Sequence, residues 1–155
     1  MNGCDQNSGA GGLLVIGYGN TLRRDDGVGP LVAEAVAALG LPGVRTLVCH
    51  QLTPELADPI ARAQTVVFVD AAAGAVGEVK LGRVTPSASI QLMAHASSPE
   101  HLLALARELF GHAPTGWLLA IPADDFNFGE GLSARTQAGL ALAVEEIRRL
   151  AAVVN

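Results

Sequence analysis

Acidic side chains follow two apolar segments of this sequence, at points where strands would end. Asp25 and Asp26 come shortly after the run Leu13–Tyr18, and Asp70 directly follows the run Thr65–Val69. In an open α/β sheet, ligands bind just beyond the carboxyl ends of the strands, so these carboxylates are expected to lie near one another. Paired, partly desolvated carboxylates suit either general acid–base chemistry or the binding of a cation.

The acids differ in how easily a structural role explains them. Asp26 is well placed to cap a helix or to act as a first-turn acid, although Asp25 could supply the cap and leave Asp26 free. Asp70 follows a strand predicted to be buried on both faces, where a carboxylate is costly unless it is paired or bound to a metal. Asp124 and Asp125 form a second acidic pair, for which simple solvation is expected.

Histidines are the other candidate ligands. His95 lies in a loop predicted over residues 87–97, and His50 follows the second strand, from which it could reach the same edge of the sheet. His101 and His112 lie near the two ends of a predicted helix and are expected to be structural or exposed. An imidazole beside two carboxylates would give a set of nitrogen and oxygen ligands suited to a divalent metal.

The glycine-rich turn after the first strand does not fit the common nucleotide-binding motifs. A dinucleotide fingerprint needs a third glycine where Leu22 stands, and a phosphate-binding loop needs Gly-Lys-Ser/Thr at the start of the helix. Two carboxylates at that position would also repel phosphate. The turn therefore favours a cation over a phosphate.

The rest of the chain alternates apolar strands with amphipathic helices. This alternation predicts a three-layer α/β/α sandwich with a mainly parallel sheet, to which residues 78–84 would add an antiparallel edge strand. Residues 1–12 are polar and rich in glycine and are expected to be a disordered tail, which leaves 13–155 as a single domain. Right-handed crossovers would bring Asp26, His50 and Asp70 to one edge of the sheet.

Composition narrows the classes of function. The formal net charge of −5 argues against a nucleic-acid partner, which would require a basic surface. No apolar run approaches the roughly 20 residues that span a bilayer, and the first residues do not resemble a secretory signal, so a cytoplasmic protein is expected. Cys4 and Cys49 are too few for a disulfide framework or a zinc cluster. No feature specifies an oligomer, and a monomer is expected.

The pattern Gly-x-Gly-Asn-x-Leu-x-x-Asp-Asp-Gly-x-Gly over residues 17–29 resembles the opening motif of the hydrogenase maturation endopeptidases. The resemblance continues at residues 67–71, at the His95 loop, and at Ile121-Pro122 followed by residues 128–133. It covers about residues 12 to 150 and implies an α/β/α sandwich. These endopeptidases remove a C-terminal extension from the large subunit of nickel–iron hydrogenases after nickel has been inserted.

The resemblance also implies a site. Its metal-contacting residues correspond to Asp26, Asp70 and His95, with His101 as the alternative histidine. Nickel would arrive with the precursor large subunit, and zinc or cadmium could take its place in a crystal. One departure concerns the segment after the second strand, where many family members have an Asp-Gly-Gly-Thr-like sequence and this chain has residues 49–55.

The sequence leaves two routes to cleavage open. The metal could polarise the peptide carbonyl or a water molecule, or Asp26 or Asp70 could act as a general base while the two acids share a proton. Other protease classes lose support, because the chain has no Gly-x-Ser-x-Gly elbow and no His-Glu-x-x-His helix.

Two other classes of function also remain. A non-catalytic protein could sense nickel in an immature subunit without cutting it. A hydrolase similar to peptidyl-tRNA hydrolases could share the strand and the Gly-x-Gly-Asn turn, although those enzymes need a basic surface for RNA and lack the Asp-Asp-Gly-x-Gly continuation.

Overall fold

The computed structural model describes residues 12–74, 77–88 and 98–154 of the 155-residue chain. These residues contain a five-stranded sheet with the strand order β2-β1-β3-β5-β4. The strands are β1 (Leu13–Tyr18), β2 (Val44–Cys49), β3 (Thr65–Ala73), β4 (Lys80–Val84) and β5 (Thr115–Ala123). All neighbouring strands are parallel except β4, which pairs with β5 in the antiparallel sense at one edge. The predicted fold class is confirmed, including the antiparallel edge strand.

Helices cover both faces of this sheet. They are α1 (Val28–Leu39), α2 (Ala57–Ala61), α3 (Pro99–Phe110) and α4 (Ala134–Val154). α1 and α4 pack on the face that carries Leu13, Val15 and Val67, and α2 and α3 pack on the face that carries Leu14 and Phe68. The alternating side chains of β1 and β3 therefore serve two hydrophobic layers, as expected for central strands of a parallel sheet.

Two helix ends have the capping residues that are typical of helices, and the start of α2 does not. Ser98 caps α3, because its hydroxyl oxygen accepts a hydrogen bond from the backbone N–H of His101 at 3.1 Å, and Gly40 ends α1 in a left-handed conformation. Thr53 precedes the single helical turn Pro54–Leu56 without making a side-chain capping hydrogen bond, and the α2 helix that follows is only five residues long. None of the helices in the described ranges has the length and apolar character needed to cross a membrane.

Strand β3 is longer than its apolar run. It continues through Asp70 to Ala73 because β5 pairs with it over that whole length. β1 pairs with β3 only up to Gly17 opposite Val69, and it ends one residue later, at Tyr18. Asp70 is thus part of a strand rather than the first loop residue, but it lies at the level where the neighbouring strand stops.

The chain leaves β1 and β3 in opposite directions. After β1 it passes through α1 to β2 on one side, and after β3 it reaches β4 and β5 on the other side. The carboxyl ends of β1 and β3 therefore form the point where the direction of winding reverses, which is where ligands bind in open α/β sheets.

Candidate active site

Asp26 lies in the loop that leaves β1, which we call the acid loop (residues 19–27). Its carboxylate oxygen Oδ2 accepts a hydrogen bond from the backbone N–H of Asn20 at 2.8 Å, so the loop closes on itself. Gly19 permits this closure: its φ is 144°, and a Cβ at this position would overlap the carbonyl oxygen of Asp26. The hydrogen bond fixes one oxygen of a partly buried carboxylate. Asp26 does not cap α1, whose N-terminal residue is preceded by Gly27.

Asp70 faces the α2–α3 side of the sheet. It follows Val66 and Phe68 at the spacing of side chains on one face of a strand, and Tyr18 packs on that same face. The Tyr18 hydroxyl donates a hydrogen bond to the Asp70 carboxylate, and the backbone N–H of Ala71 donates another. Tyr18 therefore comes from the strand beside Asp70 and fixes the orientation of its side chain.

Burial and neighbouring groups, Asp26 among them, change the pKa of Asp70. Burial raises the pKa of Asp70, and the negative charge of Asp26 raises it further, while the hydrogen bonds from Tyr18 and Ala71 act in the opposite direction; the net shift is upward. Burial and the Asp70 charge in turn raise the pKa of Tyr18 far above its ordinary value, so its hydroxyl stays protonated and remains a donor. Two carboxylates in this arrangement favour a shared proton or a bound cation.

Asp25 has a different environment from Asp26, its neighbour in sequence. It is fully buried, and its Oδ2 accepts hydrogen bonds from the backbone N–H groups of Asp124 and Asp125, both at 2.9 Å. Ser133 adds its backbone N–H at 2.7 Å and its hydroxyl at 2.8 Å. Burial raises the pKa of Asp25, but these hydrogen bonds lower it more, to about 2 from 3.8. Asp25 is therefore an ionised structural acid.

These hydrogen bonds tie the acid loop to residues 124–133, which we call the clamped loop. The backbone adds further links, since Arg24 N–H donates to Gly129 O at 3.0 Å and Gly129 N–H donates to Leu22 O at 2.7 Å. The side chain of Arg23 also donates to Phe126 O at 3.2 Å. The two loops form one hydrogen-bonded unit beside Asp26, although they are about a hundred residues apart in the sequence.

The three histidines predicted as possible ligands lie in different environments or outside the described residues. His95 lies outside the described residues, so its predicted role stays a prediction. His50 is exposed at the end of β2, and His101 is buried in the first turn of α3. Within 12–74, 77–88 and 98–154, no three or more His, Cys, Asp or Glu side chains form a group that could hold a metal ion. Of the predicted ligands, Asp26 lies near enough to Asp70 for its charge to raise the pKa of Asp70, and within the described residues His101 does not join them.

The sequence did not predict the contacts of Asp124, Asp125 and Tyr18. Asp124 and Asp125 are not simply solvated: their backbone N–H groups bind Asp25, and their side chains pair with Arg135 and Arg24. Tyr18 stands at a variable position of the glycine motif, and its role follows from the pairing of β1 with β3. Aligning the starts of the two apolar runs, with Leu13 opposite Thr65, would have placed Tyr18 beside Asp70.

The protein is a three-layer α/β/α sandwich with two carboxylates at its winding reversal. This fold and site can be compared with those of known proteins. No family model matches the sequence, and no curated protein matches it. Solved structures do match it. The NiFe hydrogenase maturation protease HybD from Thermococcus kodakarensis has 25% identity and a TM-score of 0.70, over 90% of this chain and 99% of that one.

Two further structures show the same likeness. The maturation protease HycI from Thermococcus kodakarensis has 23% identity and a TM-score of 0.69, over 90% of this chain and 92% of that one. The hydrogenase maturating endopeptidase HybD from E. coli has 20% identity and a TM-score of 0.66, over 90% and 91%. The chain has the fold of the hydrogenase maturation proteases, and the resemblance inferred from its motifs is confirmed.

Proposed function

We propose that this chain is a hydrogenase maturation endopeptidase, which removes the C-terminal extension from the precursor large subunit of a nickel–iron hydrogenase. In this proposal nickel reaches the site bound to the substrate, and Asp26, Asp70 and His95 recognise it. The proposed partner is the precursor alone; nucleic acid and membrane have no part in the reaction.

The observation that carries the proposal is the placement of Asp26 and Asp70 at the winding reversal, where the charge of Asp26 acts on Asp70. Asp26 follows β1 and Asp70 belongs to β3, so two separate elements place like charges in each other's field. Such an arrangement costs folding free energy unless a proton or a cation offsets the repulsion. The likeness to solved maturation proteases over nine-tenths of the chain supports the same conclusion.

Hydrogen bonds to each acid leave acceptor positions for a ligand. Asn20 binds Oδ2 of Asp26, which leaves Oδ1 for the ligand, and Tyr18 and Ala71 bind Asp70. Oxygen ligands from both acids, with a neutral imidazole, suit nickel and also zinc or cadmium. Three protein ligands leave positions for the thiolates that carry the nickel in the substrate, so the scissile peptide would be held beside the two carboxylates.

Two routes to hydrolysis are compatible with this arrangement. In one, the nickel polarises the peptide carbonyl or an attacking water molecule. In the other, one carboxylate removes a proton from the water while its partner holds the metal or a proton, and the raised pKa of Asp70 favours Asp70 as the group that holds the proton when no cation is bound. Both routes require Asp70.

The decisive experiment incubates the purified protein with precursor large subunit, either loaded with nickel or free of it, and follows the precursor by intact-mass spectrometry. The expected result is loss of the C-terminal extension from the nickel-loaded precursor only. Equal trimming of both forms would overturn nickel recognition. Binding of the loaded precursor with no change in mass would instead indicate a non-catalytic nickel sensor.

A further inference from the structure

The clamped loop exposes an aromatic side chain although the loop itself is firmly held. Phe128 is 84% exposed at its tip. The loop is anchored on both sides of this residue, because Asp25 binds the N–H groups of Asp124, Asp125 and Ser133. A fixed loop that presents a phenyl ring to solvent gains little folding free energy from that ring.

Leu22 of the acid loop lies beside this tip. Its carbonyl oxygen accepts the Gly129 N–H at 2.7 Å, and Arg23 forms a parallel bridge with Gly129, so the backbones of Leu22 and Phe128 lie side by side. The Leu22 side chain is 48% exposed. We call these two side chains the apolar pair. Because Leu22 and Asp26 belong to the same short loop, the apolar pair lies on the edge of the sheet that carries the acids.

Most other exposed large apolar side chains of the described chain lie on helices, at Leu39, Leu109, Phe110, Leu142 and Val153, and Val48 lies near the end of β2. Phe110 is the useful comparison. It ends α3, which leads to the start of β5, so it lies toward the opposite edge of the sheet from the acids. It is 52% exposed and of the same residue type as Phe128.

We propose that the apolar pair, Leu22 and Phe128, is the docking site for an apolar side chain of the precursor peptide close to the bond that is cut. The proposal rests on the proposed function and names the surface that holds the substrate. Asp26 and Asp70 bind charge and offer no apolar contact to a peptide, whereas the apolar pair is joined to Asp26 through the acid loop.

The size of the surface favours a peptide over a second copy of this chain. The exposed parts of one Phe and one Leu amount to roughly 250 Å², on the scale of areas that aromatic residues bury. A stable interface between two proteins buries about 800 Å² on each partner. A surface this small fits one or two side chains of an extended segment, and a fixed aromatic anchor binds such a segment with little loss of conformational entropy.

The test compares Phe128→Ala with Phe110→Ala as the matched control, and includes Leu22→Ala as a weaker variant. Cleavage of the nickel-loaded precursor gives KM and kcat, and binding of the same precursor is measured separately by surface plasmon resonance. For Phe128→Ala the KM and the dissociation constant are expected to rise about tenfold with kcat unchanged, and for Leu22→Ala about threefold. Phe110→Ala should match the unmodified protein.

Other results would overturn the docking site or separate it from the protease activity. Equal binding by the Phe128→Ala and Phe110→Ala variants would overturn the docking site, as would a loss in kcat with KM unchanged. Phe128-dependent binding without cleavage would support the docking site and contradict the protease activity. Sedimentation that shows a dimer which Phe128→Ala dissociates would assign the pair to self-association instead, and would also overturn the proposal.

Discussion

The carboxylates of Asp25 and Asp70 are both shielded from solvent, yet their protonation behaves in opposite ways. Asp25 is fully buried but accepts four hydrogen bonds, and its pKa falls to about 2. Asp70 is less buried, but it receives fewer hydrogen bonds and lies in the field of Asp26, and its pKa rises. Burial alone therefore does not separate a structural acid from a reactive one; the number of donors and the nearest charge do.

The same contrast assigns a task to each residue. A fully buried acid that already accepts four hydrogen bonds is closed to a ligand, so Asp25 joins two loops and takes no part in chemistry. Asp70 has two donors and a like charge for neighbours, which leaves it able to bind a cation or a proton. Asp26 is the neighbour of Asp25 in the sequence, but its charge acts on Asp70.

The largest expected difference is in catalysis. Asp70→Asn removes the charge and keeps the shape, and we expect cleavage of the nickel-loaded precursor to fall by at least about 100-fold. The free energy of unfolding should stay within about 1 kcal/mol, because a neutral amide removes the repulsion from Asp26. Mass spectrometry and urea unfolding of the same preparation measure both quantities. A variant that trims the precursor at the normal rate would remove Asp70 from the mechanism.

The next largest expected effect is a loss of folding stability when Asp25 is replaced. Asp25→Asn removes the charged acceptor of three backbone N–H groups and one hydroxyl, and we expect it to lower the free energy of unfolding by about 2–4 kcal/mol. Asp124→Asn is the control, since it breaks one partly exposed ion pair with Arg135 and should cost less than about 1 kcal/mol. Urea unfolding of both variants gives the comparison. Equal losses would mean that the buried contacts of Asp25 carry no special stability.

Local patterns account for what the sequence predicted well. β1, the turn and α1 are contiguous, so their apolar periodicity and glycines could be recognised within a single stretch of residues 13–39. The edge shared by Asp26 and Asp70 followed from the handedness of parallel crossovers, which needs no knowledge of side-chain contacts.

Contacts between distant segments account for what could not be predicted. The donors to Asp25 come from residues about a hundred positions away, and an aspartate at a helix start gives no sign of such partners. The contact of Tyr18 with Asp70 depends on the register of β1 against β3, which aligns Gly17 with Val69. The predicted role of His95 concerns a segment outside the described residues and stays a prediction.

The smallest effect is the dependence of the Asp25 contribution on pH. The pKa of Asp25 is about 2 in the folded protein and 3.8 in an unfolded chain, so the unfolded chain takes up the proton first as pH falls. The stabilisation is therefore complete above about pH 5 and is lost as pH decreases toward 2. A difference of about 1.8 pKa units corresponds to about 2 kcal/mol.

Other carboxylates also titrate in this range, so the quantity to measure is the difference in unfolding free energy between the unmodified protein and Asp25→Asn. This difference should be constant from pH 7 to about pH 5 and should shrink by about 2 kcal/mol as pH falls to 2. A group with a raised pKa, such as Asp70, has the opposite sign and loses stability as pH rises. A difference that is the same at pH 2 and at pH 6 would show that Asp25 is not held in its ionised form by the clamped loop, and the contrast with Asp70 would lose its physical basis.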